Sequence, residues 1–577
     1  MNVIRRAVPE GASLPNSLPL VLQRVYASRG VLDDSQLNYQ LKNLLSPATM
    51  LGISEAVERL LAALSMEEKI LIVGDFDADG ATSCAIGVRG LRAMGFPNVD
   101  FLVPNRFEYG YGLTPEIVDV ATASSPDLIL TVDNGIAANA GVSHANALGI
   151  DVVVTDHHLP GDELPDAAAI VNPNQRGCDF QSKSIAGVGV MFYLLLALRR
   201  ELLSEAWFEQ QNIPAPNLAE LLDIVALGTV ADVVSLDFNN RILVEQGLRR
   251  IRAGRACAGI LALLEVAGRD HHHVTATDLG FVVGPRLNAA GRMEDMSIGI
   301  RCLLSDDLTE AKEIAAALDG LNRDRRSVET SMKREAEEML ASVDDKQDLA
   351  NSICLFEPTW HQGVIGIVAS RIKDRYYRPT IAFARSDSGF LKGSARSIKG
   401  LNIRDLIDEV SRKEPGLIGQ FGGHAMAAGL NLEEANFERF AELLEQVVSQ
   451  HADEETLQAK NYSDGELEHQ EFSLEVAQAL RFAGPWGQSY PEPIFDGVFE
   501  LVQQRLVGEK HLKMVVSPRG APDLLIDAIA FNVDLDCWPS PVPHKAKHQV
   551  RLLYKLDVNH FRGKQNVQLL VDELEAA

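Results

Sequence analysis

The sequence is poor in cysteine, and its 6 cysteines (Cys84, Cys178, Cys257, Cys302, Cys354, Cys537) include no CxxC pair. Neither a structural zinc ribbon nor a disulfide framework is indicated, and a reducing compartment fits best. Several catalytic signatures are missing as well: there is no GxxxxGK[ST] loop, no HExxH, no GxSxG and no GxGxxG after a strand. Their absence sets aside P-loop NTPases, zincins, α/β-hydrolases and dinucleotide-binding enzymes. No apolar run is long enough to span a bilayer, and Met1 to Pro9 carry basic residues with no apolar stretch behind them. A cytoplasmic protein without a membrane partner is expected. Positive charge is also scarce, with 54 Lys and Arg against 80 Asp and Glu and a net charge of -26. Taken alone, that balance weighs against a nucleic-acid partner, because phosphate binding usually needs a basic surface, but it is silent on how charge is distributed.

What is present suits a folded chain of several domains. With 46% apolar and 23% charged residues over 577 positions, three or four cores are expected. Ile70 to Val73, Leu128 to Val132, Val152 to Val154 and Ala168 to Val171 are short apolar runs, the first three unalternated. They read as strands buried on both faces of a parallel sheet, with Ala81 to Met94 and Ala137 to Leu148 as crossover helices. Asn217 to Thr229 reads as a further helix ending at Gly228, and Leu308 to Val343 as one long bridging helix or two. A second α/β segment follows, with strands at Ile353 to Phe356 and Thr380 to Ala384 and helices at Gly366 to Asp374 and Phe437 to Val448. The acidic stretch Ala452 to Gln470 reads as a linker. Beyond it, five short alternating runs between Val498 and Val571 suggest a small β barrel. The expected segments are 1–45, an α/β domain over 46–300, a connecting helix over 301–345, a second α/β domain over 346–452, and linker plus barrel over 453–577.

Three of the four strands in the first domain run into potential metal ligands. Val73 leads into Gly74-Asp75-Phe76-Asp77-Ala78-Asp79-Gly80, Val132 into Asp133-Asn134-Gly135, and Val154 into Thr155-Asp156-His157-His158. The carboxyl ends of parallel strands form one rim, so Asp75, Asp77, Asp79, Asp133, His157 and His158 should meet there with Asp156 beside them. An Asp-Asn-Gly alone is equally ordinary turn chemistry. The three segments together favour a divalent cation, because like charges so close repel by several kcal/mol at an effective dielectric of ~20. Oxygen-rich ligation with a few imidazoles suits manganese or magnesium. His271-His272-His273 lacks an acidic partner in register and reads as a solvated loop. The Gly-rich Gln420 to Gly429 is either turn chemistry or a phosphate-approach loop in which His424 adds a donor.

These residues resemble the motifs of the DHH phosphoesterase superfamily: Asp75-Phe76-Asp77-Ala78-Asp79-Gly80, Asp133, Asp156-His157-His158 and Asp232, with Gly422-Gly423-His424 similar to the motif of the associated second domain. Within it the sequence is most similar to the RecJ family of single-strand-specific 5′ exonucleases. Pro104-Asn105-Arg106, Ala186-Gly187-Val188-Gly189, Gly284 to Arg292, Trp360 to Gly366 and Gly393-Ser394-Ala395-Arg396-Ser397 carry that likeness over roughly Ile70 to Asp572. Phe76 stands where Tyr is common, and Gly484 to Pro493 is a variant of a family turn.

The resemblance implies an α/β multidomain fold: a parallel-sheet DHH domain and a smaller α/β DHH-associated domain joined by long helix with a metal-filled cleft between, plus a C-terminal OB-type barrel arching over the strand. It implies two Mn2+ or Mg2+ ions bridged by Asp133, one held by Asp77 with Asp75 and the other by Asp79, His157 and Asp232. Two cations ~4 Å apart can activate a shared water and stabilise the entering and leaving oxygens of an in-line displacement. His158 would neutralise the phosphate or protonate the leaving group, and Asp156 would orient a neighbouring histidine. Substrate positioning falls to Arg106, Ser394 and Arg396 at the 5′ end, to Arg286, Asn288 and Arg292 along the backbone, and to Gly422, Gly423 and His424 opposite the metals. The barrel offers Phe499, Phe531, Tyr554 and Phe561 with Arg505, Lys510, Lys513, Arg551, Lys555, Arg562 and Lys564, about half of the aromatics being core. Asp223 is expected near the metal-binding acids. The implied activity is metal-dependent hydrolysis of single-stranded DNA from the 5′ end to 5′-mononucleotides in repair and recombination. A single-strand-binding protein and a helicase are the implied partners, and a monomer the implied state. The rivals are a small-substrate phosphoesterase of the same superfamily and a non-catalytic DNA-binding scaffold.

Overall fold

The computed structural model describes residues 1–104, 112–340, 350–386, 389–508, 510–533, 548–561 and 563–577, without the side chains of 548, 560 and 561. The chain divides into two compact units, the first comprising Met1–Gly291, Asp295–Asp319 and Asn461–Ala577, the second Arg292–Glu294 and Gly320–Lys460.

The first unit contains a five-stranded parallel sheet in the order Val99–Leu102, Ile70–Gly74, Leu128–Val132, Asp151–Thr155, Ala169–Val171. Ile70–Gly74 and Leu128–Val132 are buried along their whole length, as strands covered on both faces must be. The edge strand Val99–Leu102 (VDFL) carries too weak a pattern to be seen in the sequence. Because the strand order reverses between Ile70–Gly74 and its neighbour Leu128–Val132, the crevice of the doubly wound sheet opens where these two strands end.

Two helices differ from expectation for local reasons. The first crossover helix is Ala78–Ala93 and starts three residues early, because the Asp77 carboxylate caps it, accepting the N–H groups of Asp79 (2.9 Å) and Gly80 (3.1 Å). The helix Leu222–Ala231 runs through Gly228 instead of ending there. A Cβ at 228 would lie 2.8 Å from Val188 Cγ1 and 3.1 Å from Asp79 Oδ1, so the glycine serves a close helix crossing. The Gly284 to Arg292 stretch is itself helical, within Gly284–Met293.

The same unit ends in a closed five-stranded barrel, ordered Phe495–Val507, His511–Pro518, Ile526–Ala530, Lys564–Ala576, His548–Phe561. The expected acidic linker holds a short strand, Asn461–Ser463, paired in parallel with Val3–Arg5. Beside it the Arg29 guanidinium, 1% exposed, forks onto Asp464 (2.8 and 2.9 Å) and donates to the Pro491 carbonyl. The strand's partner lies at the far end of the chain, where no local pattern announces it.

The long helix Leu308–Leu340 begins in the first unit and continues into the second; the expected extension to Val343 lies outside the described residues. The second unit has a five-stranded mixed sheet in the order Gln420–Gly423, Ala427–Glu433, Phe390–Arg396, Thr380–Arg385, Ile353–Phe356. Its core includes Phe383, Phe440, Leu444 and Val447. The Gly-rich segment read as a loop is therefore a hairpin. Glycine is needed within this sheet, since a Cβ at Gly393 would meet the Phe383 ring (2.5 Å) and Leu430 (2.7 Å). Among the described residues, no helix is long and apolar enough to cross a membrane.

Candidate metal centre

Three loops at the carboxyl ends of the central strands meet at the switch point. Asp75 and Asp79 are buried at 6% and 1% exposure, and Asp133 at 2%. Asp133 sits at φ 60°, in the left-handed region, with its N–H on the Thr155 carbonyl (3.0 Å). Asn134 ties the loops by donating to the carbonyls of Val73 (3.1 Å) and Val132 (2.9 Å). One Asp156 oxygen accepts the His157 N–H (2.7 Å), the His158 N–H (3.1 Å) and His158 Nδ1 (2.7 Å), while the other accepts the Ile136 N–H (3.0 Å). The carbonyls of His157 and His158 accept from Asn174 (2.6 Å) and Asn172 (2.9 Å). The backbone of both histidines is thus fixed, and the His158 ring as well.

The donors form three overlapping groups, Asp75/Asp77/Asp133, Asp79/His157/Asp232 and Asp133/His157/His158, with ligand atoms in each within 4.8 Å of one another. Asp133 belongs to two of them; its Oδ1 lies 3.0 Å from His157 Nε2, which is 3.5 Å from Asp232 Oδ2. Two oxygen-rich donor sets, one with an imidazole and with Asp133 between them, fit two hard divalent cations. The electrostatics agree. Burial and the Asp77 charge push the Asp79 carboxyl up to about 7, against the pull of the Val188 and Gly187 amides. Asp133 and Asp232 are raised well above the ordinary value by burial and by the surrounding aspartates. Positive charge is what such a cluster needs to ionise. Burial opposes ionisation of Asp156, but the His158 hydrogen bond and charge outweigh it and hold Asp156 low. Burial likewise works against charged His158, and Asp156, Asp75 and Asp79 together outweigh it, so His158 is raised.

Some supports of this centre act through backbone groups, so their residue types do not announce the role. Gly187 and Val188, at the start of the helix Gly187–Ser204, donate their N–H groups to the two Asp79 oxygens (2.6 and 2.9 Å). A Cβ at Gly187 would lie 2.7 Å from Asp133 Cβ and 3.0 Å from its Cα. Gly187→Ala should therefore shift Asp133 and weaken Mn2+ binding by about 10- to 100-fold, the usual effect of disturbing a ligand's support. Isothermal titration of Mn2+ into the folded variant checks this; unchanged affinity would contradict the close fit. Asp232 follows the last residue of Leu222–Ala231, and Val233 comes next at φ 60°. A β-branched residue in a position that glycine normally fills costs about 1–2 kcal/mol.

The remaining expected site residues are distributed unevenly. Asn288 turns inward and accepts the Ala78 N–H (2.8 Å), so it braces the metal loop. Arg286 is 8% exposed and internally paired, with Nε and Nη2 on Asp319 Oδ1 (3.0 and 2.8 Å) and Nη1 on the Val282 carbonyl (2.7 Å). Arg292 donates to the Gly363 carbonyl (3.1 Å). In the second unit Arg396 bonds Ser394 Oγ (3.2 Å) and the Ala395 carbonyl (2.8 Å), and burial depresses its guanidinium. Both side chains close on Gly366, where a Cβ would be 2.8 Å from each. Gly422, Gly423 and His424 stand exposed at the hairpin tip. Arg106 lies outside the described residues, as do Cys537, Arg562 and the side chain of Phe561. Asp223 is away from the centre, near the opposite end of its helix, and accepts the Cys257 N–H (2.6 Å). The histidine triplet, read as a solvated loop, is a 3-10 turn capped by Asp270, the residue directly before it.

In the barrel, Phe499 and Tyr554 are core at 2% and 1% exposure, and Phe531 is exposed at 55%. Lys555 pairs with Glu492 (2.7 Å), Lys513 with Asp527 (3.4 Å) and Arg551 with Glu575 (3.4 Å), whereas Arg505, Lys510 and Lys564 point outward.

Comparison with known proteins agrees with this anatomy. Family models match at residues 69–229 (DHH family, N-terminal domain), 348–450 (DHHA1 domain) and 463–573 (RecJ OB domain). The chain is 55% identical over 571 residues to the single-stranded-DNA-specific exonuclease RecJ of Salmonella typhimurium, covering 99% of this chain and 98% of that protein. It is 54% identical to the Escherichia coli protein of the same description, with the same coverage. The crystal structure of RecJ in complex with Mn2+ from Thermus thermophilus superposes with a TM-score of 0.78 at 29% identity, covering 100% of this chain and 80% of that one. On its metal-ligand constellation, its domain content and its end-to-end similarity to these relatives, the chain belongs to the RecJ family of single-stranded-DNA-specific exonucleases within the DHH family.

Proposed function

We propose that this chain is a Mn2+- or Mg2+-dependent exonuclease that hydrolyses single-stranded DNA from its 5′ end and releases 5′-mononucleotides, in DNA repair and recombination. The observation that carries the reading is the pair of three-ligand groups, Asp75/Asp77/Asp133 and Asp79/His157/Asp232, brought together in the switch-point crevice by the 3.0 Å approach of Asp133 Oδ1 to His157 Nε2. Asp75, Asp77 and Asp133 would hold one ion, and Asp79, His157 and Asp232, with Asp133 shared, the other. When bound, such ions supply Lewis acidity to the phosphoryl oxygens and a nucleophile at neutral pH.

The chain's own groups do the rest. His158, held on Asp156 and raised above its ordinary value by Asp156, Asp75 and Asp79, can give a proton or charge to a phosphate oxygen. Asn288 and Arg286 act by fixing the metal loop and the helix that carries them. Arg292 and Arg106 take backbone phosphates. On the second unit Ser394 and the planar fork of Arg396 suit a terminal phosphate, and the hairpin tip at Gly422, Gly423 and His424 presents a further anion-binding edge. In the barrel, Phe531 with Arg505, Lys510 and Lys564 provides a stacking and basic face for the strand. The barrel favours a polymer over a small phosphoester, and the complete ligand set favours an enzyme over a scaffold. A cytoplasmic monomer that takes strands from a helicase and a single-strand-binding protein fits this reading.

Strands labelled at either end test it. With Mn2+, a 5′ label should leave first as mononucleotide while a 3′ label persists on shortening strands, and a blunt duplex should resist. Release of the 3′ label first, or equal cleavage of the duplex, would contradict the proposal.

A further inference from the structure

Asp232 is held by a part of the chain more than 250 residues away. The next residue, Val233, sits in the left-handed region at φ 60° and is 63% exposed, so packing of its own side chain does not hold it there. Its own N–H stays on the helix end, bonded to the Val230 carbonyl (3.2 Å), and the residues that follow add a further constraint. The Leu236 N–H donates to the Gln488 carbonyl (2.9 Å), and Ser235 Oγ meets Ser489 Oγ (2.8 Å). Asn240 Nδ2 donates to the Ser235 carbonyl (2.9 Å) and Arg241 Nη1 to the Leu236 carbonyl (2.9 Å). Arg241 is itself buried at 8% exposure and lies 4.3 Å from the centre of the Tyr490 ring, which stacks on Trp486 at 5.1 Å. The turn fits without slack: a Cβ at Gly487 would come within 2.8 Å of Leu236 Cδ1. A strained link beside a ligand is thus pinned through the peptide groups that follow it by one arginine and one turn.

We infer that Arg241 and the turn from Gly487 to Tyr490 are positioning elements for the metal centre, holding Val233 in its left-handed conformation so that Asp232 faces Asp79 and His157. The inference rests on the proposed role of Asp232 as a ligand. Removing the clamp lets Val233 relax towards the ordinary helical or extended region, which swings the Asp232 carboxylate away from Asp79 and His157. Glycine at 233 adopts the left-handed conformation without steric cost and needs no clamp.

Mn2+ binding followed by electron paramagnetic resonance, independent of nuclease activity, tests this on the full chain. The wild type should bind two ions. Arg241→Met should weaken one of them by about 10- to 100-fold, the range for lost ligand support, and leave the other within about threefold. Arg241→Lys, which keeps a donor for the Leu236 carbonyl, should lose less. Adding Val233→Gly to Arg241→Met should recover most of the lost affinity, an outcome that general loss of packing does not give. If Arg241→Met loses its far-UV circular dichroism, Gly487→Ala combined with Ser489→Ala is read in the same titration. A wild type that binds a single ion contradicts the reading of the centre itself. A wild type that binds two, with both ions held equally well after the clamp is removed or with no recovery from Val233→Gly, overturns the inference.

Discussion

Asp133→Asn should reduce hydrolysis of single-stranded DNA by about a hundred- to a thousandfold, the order lost when preorganised charge stabilisation is removed from a reacting centre. The substitution is matched to the backbone as well as to the chemistry. Asp133 occupies the left-handed region, which asparagine tolerates better than alanine, so the loop should keep its shape while the shared carboxylate charge is lost. Strand binding measured by fluorescence anisotropy should persist, because the barrel face and the second unit's groups proposed to take the strand are untouched. Activity within about tenfold of wild type would remove Asp133 from its central place.

The second large effect is on stability in the absence of metal. Asp79, pushed up to about 7, and Asp133 and Asp232, raised well above the ordinary value, all have folded values above the unfolded one. Groups raised in this way contribute stability that is complete at low pH and is lost as pH climbs through their folded values. Between pH 5 and 8 the EDTA-treated protein should therefore become less stable with rising pH, by up to about 1.4 kcal/mol per pH unit for each proton retained by the fold. His158, also raised, acts in the same direction. Mn2+ replaces those protons, so the rise in melting temperature on adding Mn2+ should be small at pH 5.5 and large at pH 8. Calorimetric scans at several pH values, with and without Mn2+, check this; a metal-induced rise independent of pH would contradict the ionisation scheme. Activity should vanish in EDTA and return with Mn2+.

The parallel sheet and the cluster of acids and histidines at its strand ends were legible because both rest on local rules. Unalternated Ile/Val/Leu runs mark strands buried on two faces, and an Asp or His just past such a run falls on one rim whatever the loops do. Asp232 obeys no such rule. It follows a largely apolar helix, and only the family resemblance singled it out. The partners of Asp79 were equally hidden, since Gly187 and Val188 act through backbone amides that any residue but proline possesses. Arg286 shows the converse: a guanidinium beside glycines resembles a phosphate ligand until its pairing with Asp319, 33 residues on, is seen. The hairpin Gln420 to Glu433 was obscured because its glycines sit within paired strands, where Gly423 packs against Ala428, while the same residues elsewhere make turns. The strand Asn461–Ser463 needed Val3–Arg5, which no local window contains. The acidic net charge, which at first weighed against DNA, is partly the metal centre itself.

The most direct test of the two-ion centre is the Mn2+ stoichiometry of the wild type beside Asp77→Ala, Asp232→Ala and Asp133→Asn, each confirmed as folded. The arrangement predicts two ions in the wild type, selective loss of a different one in each of the first two variants, and weakening of both in Asp133→Asn. A single ion in the wild type, or two ions indifferent to Asp133→Asn, would contradict it.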